Sequence, residues 1–292
     1  MIVLELLKAI FYGILEGVTE WLPISSTGHI ILLSQFLPLD FSGLYPQELA
    51  ARFFEMFEVV IQLGASLAVA VLFFDRLNPF CSLKKGFLDR SRVSLWIKIG
   101  VACMPSAAAG IFLQTCFPKL LDSLYTPLVV SATLIIYGAL FIAIERVKEK
   151  EYIAEYEIGD ISYVRAFSIG CFQALAIIPG TSRSGATVIG ARCFGMSRRA
   201  AAEFSFFMAL PTMLGASVIK AIGFFGYLSE SGTGFPAVSA LILIASFVTA
   251  FAVSLATIRF LISFAAEKGF APFGVYRIIL GIAVIVYFVF VK

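Results

Sequence analysis

Residues 172–187 read FQALAIIPGTSRSGAT: an apolar stretch, a proline, then glycine, hydroxyls and one arginine opening a second run. Residues 16–29, EGVTEWLPISSTGH, follow the same plan around Pro23. Each stretch reads as a helix broken at its proline, which lacks an N–H and turns the preceding residue away from helical geometry. Further on, LGAS recurs at 63–66 and 214–217, each time inside the next full-length apolar window. Two matches in the same order predict an internal duplication.

The composition places these breaks in lipid. Of 292 residues 60% are hydrophobic and 14% charged, with 30 Phe and a mean hydropathy of +0.96, outside the balance of a soluble domain. Apolar windows at 53–74, 95–117, 126–145, 204–227, 236–258 and 275–291 approach the ~20 residues that cross a bilayer. The stretch before Pro179, 166–178, is only about 13 residues, a length that re-enters rather than spans. By symmetry the first motif is assigned the same way. The expected fold is therefore all-α, a single polytopic membrane domain of six spanning helices and two re-entrant hairpins. Its first repeat is 1–145 and its second 146–292. Three spans per half is an odd number, so the second repeat enters from the other side and the repeats are inverted.

Loop charges give the orientation. Arg76, Lys84, Lys85, Arg90 and Arg92, then Arg146, Lys148, Lys150 and Arg165, then Arg198 and Arg199, and finally Arg259 and Lys268 fall on one side. The opposite loops, 38–52, 118–125 and 228–235, hold only Arg52 and Lys119. The basic side is expected to be cytoplasmic, with both termini outside. A net charge of +3 is too small to suggest nucleic acid. Cys81, Cys103, Cys116, Cys171 and Cys193 show no metal or redox spacing and are expected to be buried, inert thiols. The N-terminal stretch, with Glu5 and Lys8 early, lacks a cleavage pattern and is expected to be retained.

Non-helical backbone survives at membrane depth only inside protein or beside a wet cavity, so the meeting place of the two hairpins is the candidate site. Glu16 and Glu20, spaced i,i+4, project from one helix face and are expensive in an apolar stretch. Ser25, Ser26, Thr27 and the chain's one histidine, His29, follow Pro23. An imidazole there can move a proton or attack phosphorus near neutral pH. In the second hairpin Gly180 and Gly185 admit close backbone approach, and Thr181, Ser182, Ser184 and Thr187 supply hydroxyls at a helix start that favours an anion. Arg183 adds a planar fork matched to phosphate oxygens. No GxxxxGK[ST] loop occurs. Glu55, Glu58 and Glu203 lie near helix ends and are expected to be solvated at the interface, while Gln62 and Gln173 are expected to bond between helices.

These motifs resemble the two signatures of the bacterial undecaprenyl-diphosphate phosphatases, the bacitracin-resistance family. FEVVIQLGASLAV (57–69) and EFSFFMALPTMLGAS (203–217) resemble that family's flanking helices, so the likeness covers both halves. It implies an enzyme of the bacterial inner membrane, with a site open to the outer leaflet, that converts undecaprenyl diphosphate to the monophosphate and inorganic phosphate. That reaction recycles the carrier lipid for cell-wall synthesis and confers bacitracin resistance. The resemblance also implies a divalent cation, Mg²⁺ or Ca²⁺. The family's acidic motif maps to Glu16 and Glu20, its serine and histidine to Ser26 and His29, and its arginine motif to Arg183 with Ser182 and Ser184.

The expected roles are then Glu16 and Glu20 as metal ligands, or as one ligand and one orienting base, with Glu20, Ser26, His29 and Arg183 catalytic. Ser25, Thr27, Gly180, Thr181, Ser182, Ser184 and Thr187 are expected to bind substrate. Ser26 or His29 would attack phosphorus, or His29 would activate water; the sequence does not choose. The expected partners are the lipid diphosphate, the bilayer and a second copy of the chain as a homodimer. The rival function is a transporter or flippase of a phosphorylated polyprenyl lipid, which needs no nucleophile.

Overall fold

The structure, a computed structural model, describes residues 2–80, 88–150 and 156–290. Cys81, Lys84 and Lys85 lie outside the described residues, as do the side chains of Lys148 and Lys150. Among the described residues the elements are helical throughout. In order they are α1 (Ile2–Thr19), α2 (Ser26–Phe36), α3 (Gln47–Leu72), the single turn α4 (Phe74–Leu77), α5 (Arg90–Cys116), α6 (Pro118–Leu124) and α7 (Pro127–Lys150). A 3₁₀ turn at Ile158–Asp160 leads to α8 (Tyr163–Ala174), α9 (Arg183–Cys193), α10 (Arg198–Ser231), α11 (Ala237–Lys268) and α12 (Ala271–Phe290).

Six of these helices, α3, α5, α7, α10, α11 and α12, are long and apolar enough to cross a membrane, one for each apolar window of the sequence. Helices α10 and α11, of 34 and 32 residues, run roughly 50 Å and project beyond a hydrocarbon core of about 30 Å. The short arm α8, extended by a 3₁₀ turn at Leu175–Ile177, stops before Pro179. Helix α1 stops before Pro23, and Glu20 N–H still donates to the Glu16 carbonyl at 3.0 Å.

Packing buries the two breaks within the bundle, while α1 and α8 keep apolar outer faces. Helix α1 lies along α11 and α8 along α5, while α3 packs on α10 and α11, and α7 runs the length of α12. Without a hydrophobic drive between helices in lipid, close approach depends on small residues. Gly64 of the first LGAS is such a residue: a Cβ there would stand 2.5 Å from the Phe247 carbonyl oxygen of α11. Gly215 of the second LGAS faces open space, so the repeated tetrapeptide packs a helix in one half only.

The basic loops gather at one end. Glu203 at the start of α10 bonds Arg76 from α4 and Arg199, the latter at 2.9 Å. Glu145 near the end of α7 pairs with Arg198 through Nε at 2.8 Å, and Gly269 after α11 sits against the same pair. At the α5 start, the Asp89 carboxylate accepts from Ser91 and Arg92; those bonds, the Ser91 hydroxyl's first, hold it below its ordinary pKa. At the opposite end Arg52 stacks over the Tyr227 ring at 4.4 Å, and Tyr45 donates to Ser239 at 2.8 Å.

Two expectations change. Glu203 is buried within an ion triad rather than solvated at an interface, because two guanidiniums offset its desolvation. None of the four described cysteines is fully buried: Cys103 is half-buried, and Cys116, Cys171 and Cys193 lie on the outer face of the bundle. A thiol is apolar enough for lipid, so burial inside protein is not required of it.

Candidate active site

The two breaks are built alike. In the first, Ser25 caps α2 with φ 77° and accepts the Gly28 amide at 3.2 Å. In the second, Ser182 caps α9 with φ 71° and accepts the Gly185 amide at 3.1 Å. These are the only non-glycine residues with positive φ among the described residues. Each such conformation costs on the order of 1–3 kcal/mol and persists only where its surroundings enforce it. The caps consume one amide per helix. The first-turn amides of Ser26 and Thr27, and of Arg183 and Ser184, remain without a helical acceptor, the arrangement in which a helix start binds an anion.

Superposing the caps in sequence aligns Ser26 with Arg183, each the first residue of its helix. One hairpin therefore presents a hydroxyl and the other a guanidinium from equivalent positions, and Glu20 joins them. Ser26 Oγ donates to Glu20 Oε2 at 2.6 Å, and Arg183 Nη2 donates to Glu20 Oε1 at 2.9 Å. Arg183 Nη1 also donates to the Ser205 carbonyl at 3.0 Å, while its Nε–H has no acceptor among the described residues. Ser184 Oγ donates to the Glu20 carbonyl at 3.2 Å and contacts Ser182 Oγ at 3.1 Å.

A cavity of about 160 Å³ opens over this chain of bonds. Of the candidate site residues, Glu20, Ser25, Ser26, Thr27, Gly180, Ser182 and Arg183 line it; Gln62, expected to bond between helices, faces it instead, and Tyr125 and Met213 join them. Glu16, His29, Thr181, Ser184 and Thr187 lie outside the lining. Thr187 Oγ1 donates back to the Arg183 carbonyl at 2.8 Å, and Thr181 is fully buried. His29 turns toward α12. Its Nδ1–H donates to the Ser25 carbonyl at 2.7 Å, and its Nε2 lies 2.8 Å from the Tyr276 hydroxyl, so both ring nitrogens are engaged. The two rings lie parallel, 4° apart in plane.

Arg277 of α12 is the residue that sequence inspection passed over. It is fully buried and pairs with no carboxylate among the described residues. Its Nη1 donates to the Pro23 carbonyl at 3.1 Å, and its Nη2 to the Gly180 and Thr181 carbonyls at 2.7 and 3.0 Å. One guanidinium thus ties the turn of the first hairpin to the turn of the second. The available signal was an arginine within an apolar window, expensive in lipid unless many acceptors surround it. Gly180 lets the second turn approach α7: its φ is 83°, and a Cβ would meet the Val130 carbonyl oxygen at 2.7 Å.

Glu16 is fully buried, and among the described residues its oxygens meet no N–H or hydroxyl donor and lie beside the Glu20 carboxyl. Three acids, Glu16, Glu20 and Glu58, thus neighbour one guanidinium, that of Arg183. An orphaned carboxylate beside a second one fits a hard divalent cation, which commonly takes one or two carboxylates and completes its shell from phosphate and water. Among the described residues no cluster of three or more acidic, His or Cys side chains is placed to hold a metal, so the protein would supply only part of the shell.

Comparison with known proteins points one way. The family profile described as bacitracin resistance protein BacA matches residues 9–283. A protein of Lachnoclostridium phytofermentans named undecaprenyl-diphosphatase is 47% identical over 289 residues, 99% of each chain. Proteins of the same name from Enterococcus faecalis and Streptococcus pyogenes are 48% and 45% identical, over 97% and 98% of this chain and 96% and 98% of theirs.

Proposed function

The chain belongs to the bacitracin resistance protein BacA family, and we propose that Ser26, Glu20 and Arg183 are the machinery with which it acts. It is a multi-pass membrane enzyme, an undecaprenyl-diphosphatase, which removes phosphate from undecaprenyl diphosphate. The observation that carries the site assignment is the bonded chain Ser26–Glu20–Arg183, which brings a hydroxyl, a base and a phosphate-matched cation onto one cavity.

Ser26 Oγ attacks the terminal phosphorus, and its proton passes along the 2.6 Å bond to Glu20 Oε2. An Oγ–P bond forms as the bridging P–O bond breaks, and the lipid monophosphate leaves. Water then attacks the phosphoserine, inorganic phosphate departs, and Glu20 returns the proton to Oγ. Arg183 grips the equatorial oxygens through Nε–H and its spare Nη hydrogens, and the free amides at both helix starts add donors where charge gathers. His29, held at both nitrogens away from the cavity, positions the Ser25 turn rather than attacking.

Glu16 and Glu20 would hold Mg²⁺ or Ca²⁺ together with substrate oxygens; the ion would neutralise charge on the diphosphate. The duplication into 1–145 and 146–292 belongs to the same proposal, supported by the matched caps Ser25 and Ser182. So does a site open to the outer leaflet. Its support is the gathering of Arg76, Arg198 and Arg199 at one end, while Tyr125, from the turn at the other end, borders the cavity.

Brief incubation of purified protein with substrate labelled on the terminal phosphate, followed by a denaturing detergent quench at neutral pH that preserves both phosphoserine and phosphohistidine, tests the covalent step. Label is expected on Ser26, and none in Ser26→Ala. Label on His29, or turnover by Ser26→Ala, would show that another group attacks.

A further inference from the structure

The residues just before the two LGAS tetrapeptides are Gln62 on α3 and Met213 on α10, and both line the catalytic cavity. Their environments are shared but their chemistry is not. Met213 is a buried thioether. Gln62 is a half-buried amide that makes no hydrogen bond to any described residue. Gln173 shows what such an amide ordinarily does in a membrane bundle: its Nε2 donates across to Ser106 Oγ of α5 at 2.7 Å. Gln62 instead offers two N–H donors and a carbonyl to a chamber that also holds Ser26 and Arg183. A half-buried amide that faces a chamber without a protein partner is free to bond a ligand that enters it.

We infer that Gln62 is a substrate-contacting residue, its side-chain Nε2 donating to a non-bridging oxygen of the terminal phosphate while Ser26 attacks phosphorus. A phosphate at that stage is acceptor-only, so the amide turns its nitrogen inward and its oxygen away. The donor is neutral, which adds a hydrogen bond to the transferring group without burying another ion in lipid. The inference rests on the proposed site, because it needs the phosphate to occupy the cavity between Ser26 and Arg183.

Gln62→Met and Gln62→Glu separate this role from a packing role, measured as turnover of undecaprenyl diphosphate by purified protein in detergent. Methionine is already accommodated at the equivalent position 213, and glutamate nearly copies the shape of glutamine. Loss of one hydrogen bond to a charged group predicts a fall of about ten- to a hundredfold in kcat/KM for Gln62→Met. Gln62→Glu falls further, because a carboxylate repels the phosphate it faces. A packing role predicts the reverse order, the isostere retaining more activity. Inorganic phosphate gives a second readout in the same samples: its inhibition constant rises about tenfold in Gln62→Met and more in Gln62→Glu. Activity of Gln62→Met within threefold of the parent, a Glu variant as active as the Met one, or an unchanged phosphate inhibition constant overturns the contact. Arg183→Ala is run alongside. If it is inactive while Gln62→Met is normal, only the role of Gln62 falls; if Arg183→Ala also turns over normally, the site assignment falls with it.

Discussion

Replacing Arg277 with methionine keeps an unbranched stem in place but removes every donor that joins the two hairpin turns. Three bonds of 2.7–3.1 Å, to Pro23, Gly180 and Thr181, are lost, and two longer ones, to Thr133 and Leu134, go with them. A buried carbonyl stripped of its donor costs roughly 1–3 kcal/mol, so three give a gross loss of about 3–9 kcal/mol. Against this stands relief of burying a cation without a carboxylate partner, worth several kcal/mol. Among the described residues those three carbonyls have no alternative backbone donor, so the upper part of that range, about 6–9 kcal/mol, applies, and against relief of about 4 kcal/mol the loss wins by roughly 2–5 kcal/mol net. That lowers the melting temperature by roughly 5–15 °C for a chain of this size. Displacement of the hairpin tips by about 1 Å would cost about a hundredfold in turnover. Intrinsic tryptophan fluorescence is a suitable probe, because Trp21 is fully buried and packs edge-on against Phe206 at 5.1 Å, next to Glu20 in sequence. A methionine variant that melts within 2 °C or so of the parent, and keeps half its turnover, would refute the view that this guanidinium fastens the site.

Arg183→Lys keeps the charge but cannot hold Glu20 and Ser205 while presenting a fork to phosphate. Turnover is expected to fall about 10²–10³-fold with normal membrane insertion, and near-normal turnover would remove Arg183 from the mechanism. Glu16→Gln keeps volume and removes one carboxylate, so the divalent-cation concentration giving half-maximal turnover is expected to rise by about tenfold. An unchanged cation dependence would argue that Glu16 is not a ligand.

The sequence alone determined the environment and the ingredients. Apolar windows of bilayer length, two proline breaks and a lopsided distribution of basic loops are local or compositional signals, readable without knowing what touches what. Glu20, Ser26 and Arg183 were legible as candidates for the same reason: a charged or hydroxyl group in an apolar stretch stands out by its desolvation cost. What joined them was not legible. The bond from Arg183 to Glu20 spans 163 residues, and the bonds from Arg277 to the two turns span 254 and 97 or 96. Only the packing of α12 against α7 and the burial of both breaks within the bundle bring those atoms together. Tertiary structure also decided the direction of His29, toward Tyr276 and away from the cavity, and set Gln62 apart from Gln173, which has the same side chain. Hydrogen-bond partners depend on ångström-scale direction, whereas sequence spacing fixes only which face of a helix a residue occupies.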